Sequence, residues 1–176
     1  QEVEAVRTLY QADQLLNQEF QTEALEQELR ESRYGILHIA THGKFSTDAK
    51  DSFLLTFDGK LTMNKLDQLI GLFRYRQDPL ELLTLSACQT AVGDDRAALG
   101  LAGVAIKAGA RSALATLWFI NDEASAELIS EFYRQLRDPA VSKAVAIQRA
   151  QVKLLGDRVY DHPAYWSPFL LLNNWL

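Results

Sequence analysis

The chain has a single cysteine, at position 88. A lone thiol closes no internal disulfide, so nothing calls for an oxidising compartment. Basic residues are in the minority: 18 Lys and Arg stand against 23 Asp and Glu, a net charge of −5. That balance argues against a nucleic-acid binder, which needs a basic face for phosphates. No apolar run approaches the roughly 20 residues of a membrane span, and the acidic opening Gln1-Glu2-Val3-Glu4 is unlike a signal peptide. Repeats, low-complexity tracts and linkers are missing as well. These absences place the expected location in the cytoplasm. The first residue is glutamine rather than methionine, so the sequence is expected to be a piece of something longer. What remains is 176 residues, 48% hydrophobic and 23% charged, a balance that fits one globular domain with a real core.

The pattern alternates helix and strand. Val3, Val6, Leu9 and Tyr10 recur at helical spacing and predict an amphipathic helix over 2–11. Gln14 to Asn17 reads as a short strand. Thr22 is placed to cap a helix over 23–32, with Leu25 and Leu29 as its apolar stripe. Gly35 opens a strand that ends at His42-Gly43. Ser52 to Thr62 carries a hairpin signal around Asp58-Gly59. Thr62 or Asn64 then caps a short helix bearing Leu66, Leu69 and Ile70. A small-residue helix over 100–107 ends at Gly109, and Ser112 to Leu117 is a further strand. Asn121 caps a helix whose inner face is Ala126, Ile129, Phe132, Tyr133 and Leu136. Ser142 caps another, running to Leu155 and stopped by Gly156. Pro168 to Leu172 is the last strand. The expected class is an α/β layer sandwich.

Two of these strands carry the chemistry. Leu80 to Leu85 is short, apolar and preceded by Asp78-Pro79, and so reads as a buried strand of a parallel sheet. It climbs through Ser86-Ala87 to Cys88, where open α/β sheets put their sites. The apolar run Ile36-Leu37-His38-Ile39-Ala40-Thr41 ends in the same way at His42. A cysteine nucleophile needs a base within hydrogen-bond reach and N–H donors aimed at the developing oxyanion. His42 is the candidate base, and the N–H groups of Gly43 and Cys88 are candidate donors. Spacing alone does not prove the pair, since a small buried hydrophobe is an ordinary role for a cysteine. His38 lies inside its strand and reads as a hydrogen-bonded core histidine. His162 is the rival base, but Pro163, Tyr165 and Trp166 beside it suggest a structural turn.

The residues His38-Ile39-Ala40-Thr41-His42-Gly43 and Leu85-Ser86-Ala87-Cys88-Gln89-Thr90 resemble the signature of CHAT domains, caspase-like domains often found beside tetratricopeptide repeats. Gly100-Leu101-Ala102, Ala108-Gly109-Ala110-Arg111-Ser112, Leu117-Trp118 through Asp122-Glu123-Ala124, and His162 through Phe169 fit the same pattern. The resemblance spans residue 36 to the end. It implies a caspase-like three-layer αβα sandwich with a mostly parallel central sheet. On that basis residues 1–176 are expected to form one such domain lacking its N-terminal part. The resemblance also implies a cysteine endopeptidase in which Cys88 is the nucleophile and His42 the general base and acid, with no metal or cofactor.

Substrate selection is expected from groups near the same rim. Ser86 either bonds backbone at the corner or touches substrate. Asp94 and Asp95, in the loop after the nucleophile, either line a pocket for a basic side chain or are simply solvated; Asp94-Asp95-Arg96 could also be a processing site. Trp118, Asp122 and Glu123 follow a strand end, although two carboxylates at a helix N-terminus need no substrate to explain them. The expected partners are a protein or peptide substrate and a tetratricopeptide-repeat region in the same or another chain, with neither nucleic acid nor membrane. The protein is read as a monomer or a weak dimer formed through the terminal strand. The competing reading is a catalytically silent module that signals by binding. An esterase-like hydrolase has little support, because no Gly-x-Ser-x-Gly elbow occurs.

Overall fold

The computed structural model describes residues 2–44, 51–73, 78–89, 103, 106, 109–118 and 121–176, with 87–89 described by backbone alone. The chain divides into two compact units, Leu15–Phe119, and Gln1–Gln14 with Ile120–Leu176.

The Leu15–Phe119 unit holds a five-strand run in the spatial order β3-β2-β1-β4-β5, with β1 at Ile36–Lys44, β2 at Phe53–Thr56, β3 at Gly59–Thr62, β4 at Leu82–Gln89 and β5 at Ser112–Thr116. The three strands β1, β4 and β5 are parallel. The β2–β3 hairpin adds antiparallel pairing at one side. Leu82, Leu83, Thr84 and Leu85 are all buried, as is every residue of β5. Such continuous burial belongs to parallel strands covered on both faces, and it is why these segments read as unbroken apolar runs. At the foot of β4 the N–H groups of Glu81 and Leu82 both donate to the Gly35 carbonyl, 2.8 and 3.1 Å. These bonds start β1 and β4 level with each other.

Helices α2 (Thr22–Glu31) and α3 (Met63–Gly71) belong to the same unit. Leu25 and Leu29 of α2, and Met63, Leu66, Leu69 and Ile70 of α3, are buried. The Thr62 hydroxyl accepts from the Lys65 N–H and caps α3 as expected. An ion pair between Lys65 and Glu26 ties the two helices. The expected cap of α2 differs. Thr22 is already helical, and its N–H donates to the Asp58 carboxylate, 3.1 Å, from the hairpin turn 36 residues away. The orphan N–H at the helix start is therefore met by a tertiary contact rather than by its own neighbour. Residues 14–17 form no strand. Asn17 has φ 50° and opens a one-turn 3-10 helix over Asn17–Glu19, a backbone sign that a strand cannot adopt. The hairpin turn falls one residue early: Thr56 pairs with Gly59, leaving Phe57-Asp58 as the turn, and Gly59 takes φ 147°, which glycine alone tolerates easily. Of the helix expected over 100–107, Gly103 and Ile106 are described, and both are helical. Gly109 ends it at φ 118° with its N–H on the Ile106 carbonyl.

The second unit contains α1 (Glu2–Tyr10), α4 (Asp122–Leu136), α5 (Lys143–Leu155) and β6 (Phe169–Asn173). Asn121 caps α4 through bonds from the N–H groups of Glu123 and Ala124, and Ser142 caps α5 through Val145. Ile129, Phe132 and Tyr133 are fully buried. The Tyr133 ring meets Tyr10 edge-on at 5.6 Å, and the Tyr10 hydroxyl donates to the Tyr133 carbonyl. Glu131 is buried on the same helix, which the apolar spacing did not anticipate. Arg134 and Gln135 bond its carboxylate, and Lys153 lies 3.5 Å away. Burial alone would raise its pKa; the Arg134 and Gln135 hydrogen bonds and the nearby positive charges outweigh it and hold the carboxyl below its usual range. Among the described residues, no helix is long and apolar enough to cross a membrane.

Candidate active site

The site rests on one stretch of parallel ladder. From Ile36↔Leu82 the register runs without a slip to Thr41↔Ala87, His42↔Cys88 and Gly43↔Gln89. His42 and Cys88 are therefore Cα partners on adjacent strands, whose backbones lie about 4.8 Å apart. His42 is exposed, and Gly43 beside it is buried. Neither strand ends at its site residue: β4 runs through Cys88 to Gln89, whereas its end was expected before Cys88, and β1 does not stop at His42. β1 continues to Lys44, because Gly43 and Lys44 also pair with Leu54 and Phe53 of β2. The expected strand end is thus a crossing point, with β4 on one side and the hairpin on the other.

The hairpin side has a further fastening. The Thr41 hydroxyl donates to the Leu55 carbonyl at 2.8 Å. Thr56 and Phe57 are anchored in turn: the Thr56 and Thr22 hydroxyls lie 3.5 Å apart, and the Phe57 N–H donates to the Phe20 carbonyl at 2.8 Å. The Thr56 hydroxyl first, and then the Thr22 N–H, hold the Asp58 carboxyl below its usual range. Lys60 sits 4.3 Å over the Phe53 ring and covers part of the hairpin. Thr41 did not stand out in the sequence. Its value depends on which strand lies beside β1, and spacing along the chain cannot supply that.

Ser86 is partly buried and is the Cα partner of Ala40, two steps before the His42–Cys88 pair. Trp118 is exposed, two residues past the end of β5. Asp94 and Asp95 lie outside the described residues. Asp122 and Glu123 occupy the first turn of α4, in the other unit, where the helix dipole favours them. The Glu123 carboxylate accepts a long bond, 3.5 Å, from the Tyr160 hydroxyl. The register thus brings His42, Gly43, Ser86 and Cys88 onto neighbouring strands.

The rival histidines have other surroundings. His38 lies mid-strand, partly buried, opposite Thr84. The His162 Nδ1 accepts from the Ala164 N–H at 3.2 Å and caps the one-turn helix Pro163–Tyr165. The Trp166 indole donates to the Asp161 carbonyl, and Tyr160 meets Tyr165 edge-on, so this segment is a turn fixed by its aromatic residues. Among the described residues no group of three or more His, Cys, Asp or Glu is arranged to hold a metal ion.

A mixed sheet with a parallel centre, carrying a histidine and a cysteine in register on adjacent strands, defines an α/β protein of the caspase-like kind. The CHAT domain family model matches residues 1–174, and the chain belongs to that family. The match reaches upstream of the motifs that begin at residue 36 and takes in α1 and α2. The family is caspase-like and related to peptidases. No curated protein matches the chain.

Proposed function

We propose that this protein is a cysteine endopeptidase that cleaves peptide bonds in protein substrates with a Cys88–His42 dyad. The observation that carries the reading is the ladder register that makes His42 and Cys88 Cα partners. In this mechanism His42 takes the Cys88 proton, and the thiolate sulfur attacks the scissile carbonyl carbon. N–H groups of Gly43 and Cys88 stabilise the oxyanion. As the tetrahedral intermediate collapses, the C–N bond breaks and the His42 imidazolium gives its proton to the leaving amine. Water, deprotonated by His42, then attacks the thioester, which releases the carboxylic acid and regenerates the thiol. Ser86, Asp94, Asp95, Trp118, Asp122 and Glu123 are the proposed substrate contacts. A tetratricopeptide-repeat region and a cytoplasmic setting belong to the same proposal.

The test is cleavage of an unbiased peptide mixture by the intact protein, read by mass spectrometry. Cys88→Ala abolishes cleavage, and His42→Ala lowers it roughly a hundred- to ten-thousandfold. Cleavage that survives Cys88→Ala contradicts the proposal. An intact protein that cleaves nothing, and whose biological activity is unchanged by Cys88→Ala, acts by binding instead.

A further inference from the structure

We infer that Thr41 is a positioning residue for His42, acting through its hydrogen bond to the Leu55 carbonyl; the inference rests on the dyad proposed above. His42 is held from two sides. Toward β4, residues 41, 42 and 43 are matched to Ala87, Cys88 and Gln89. Toward the hairpin, the paired register covers Gly43 and Lys44. The Thr41 hydroxyl reaches Leu55, the next hairpin residue after Leu54, at 2.8 Å. One side-chain bond thus carries the attachment back past His42, so that the residue is bracketed by Thr41 on one side and Gly43 on the other. The hairpin makes a firm anchor because it is itself tied to α2 and to the segment that leads into it. Asp58 receives the Thr22 N–H, and Phe57 donates to Phe20. A catalytic imidazole loses much of its effect when displaced by about 1 Å. A tether on the residue immediately before it limits that displacement, and a β-branched residue there keeps the strand conformation stiff.

Thr41→Val keeps the shape and β-branching and removes the donor. The readout is the rate of Cys88 alkylation by iodoacetamide in the intact protein, near neutral pH and again above about pH 9, where an unassisted thiol ionises by itself. Wild type reacts at neutral pH through His42, and His42→Ala removes that component. Thr41→Val lowers the neutral-pH rate roughly three- to tenfold, the worth of one net hydrogen bond, and leaves the alkaline rate unchanged. Thr41→Ser restores the neutral rate. A residue that merely supported the fold would raise labelling at both pH values, because the thiol would become more accessible. If Thr41→Val does not fold, Asp58→Asn loosens the same hairpin at its far anchor and carries the same expectation with a smaller loss. A neutral-pH rate unchanged in the folded variant, alongside a rate that falls in His42→Ala, overturns the role of Thr41 and leaves the dyad standing. A rate equal in wild type and His42→Ala overturns the dyad, and the positioning role with it.

Discussion

At the residue scale, Thr41 and Glu131 show how much a side chain's role depends on what the fold sets beside it. Thr41 is an ordinary strand residue in the sequence, yet its hydroxyl fastens β1 to the Leu55 carbonyl. Glu131 falls on the buried side of α4 among Leu128, Ile129 and Phe132, where helical spacing suggests an apolar residue. Its charge is retained because Arg134, Gln135 and Lys153 reach it. This predicts a definite pH dependence. The folded carboxyl titrates below its ordinary value of 4.5, so its stabilising contribution is complete above that value and fades as pH falls through the lower, folded one. Glu131→Gln is expected to lower stability by about 1 kcal/mol at neutral pH, a modest figure because the Arg134 and Lys153 side chains are largely solvated. It should also flatten the loss of stability as the pH falls below the ordinary carboxylate range. Urea unfolding of both proteins across that fall in pH checks the slope. A slope as steep in the variant as in wild type assigns the acid sensitivity to other carboxylates.

At the element scale, the strands were the most legible part of the chain. Leu82 to Leu85 and Ser112 to Thr116 are buried throughout, and a parallel strand covered on both faces leaves an unbroken apolar run. Helices with local caps were equally readable: Thr62, Asn121 and Ser142 each bond an N–H two or three residues on. Elements completed by distant partners were not. The α2 cap comes from Asp58, and β1 reaches Lys44 because β2 is there to pair with it. The Gln14 to Asn17 segment looked like a strand, but the positive φ of Asn17 breaks any extended run. The Asp58 contact joins the hairpin to α2, so loosening it should be felt in both. Asp58→Asn is expected to speed hydrogen exchange at the first-turn amides of α2 and in the β2–β3 ladder together, while α4 and α5 exchange as before. Faster exchange confined to Thr22 would show that the turn carboxylate acts on the helix alone.

At the scale of the whole molecule, the family could be read from the two motifs around His42 and Cys88, and the family model extends the match over residues 1–174. The pairing of His42 with Cys88 was an inference from strand order, and it emerges as a ladder register. The specificity groups were harder to place, because Asp122 and Glu123 are already accounted for by the N-terminus of α4. The central claim is that the cysteine and histidine act as one catalytic pair on peptide substrates. The most direct measurement is a crystal structure of the protein trapped with a peptide bearing an electrophilic carbonyl. The account predicts a covalent bond from the Cys88 sulfur to the peptide, with a His42 ring nitrogen within about 3–4 Å of the reacting atoms. A peptide that leaves Cys88 unmodified, or an adduct with the His42 ring turned to the opposite face of the sheet, would contradict it.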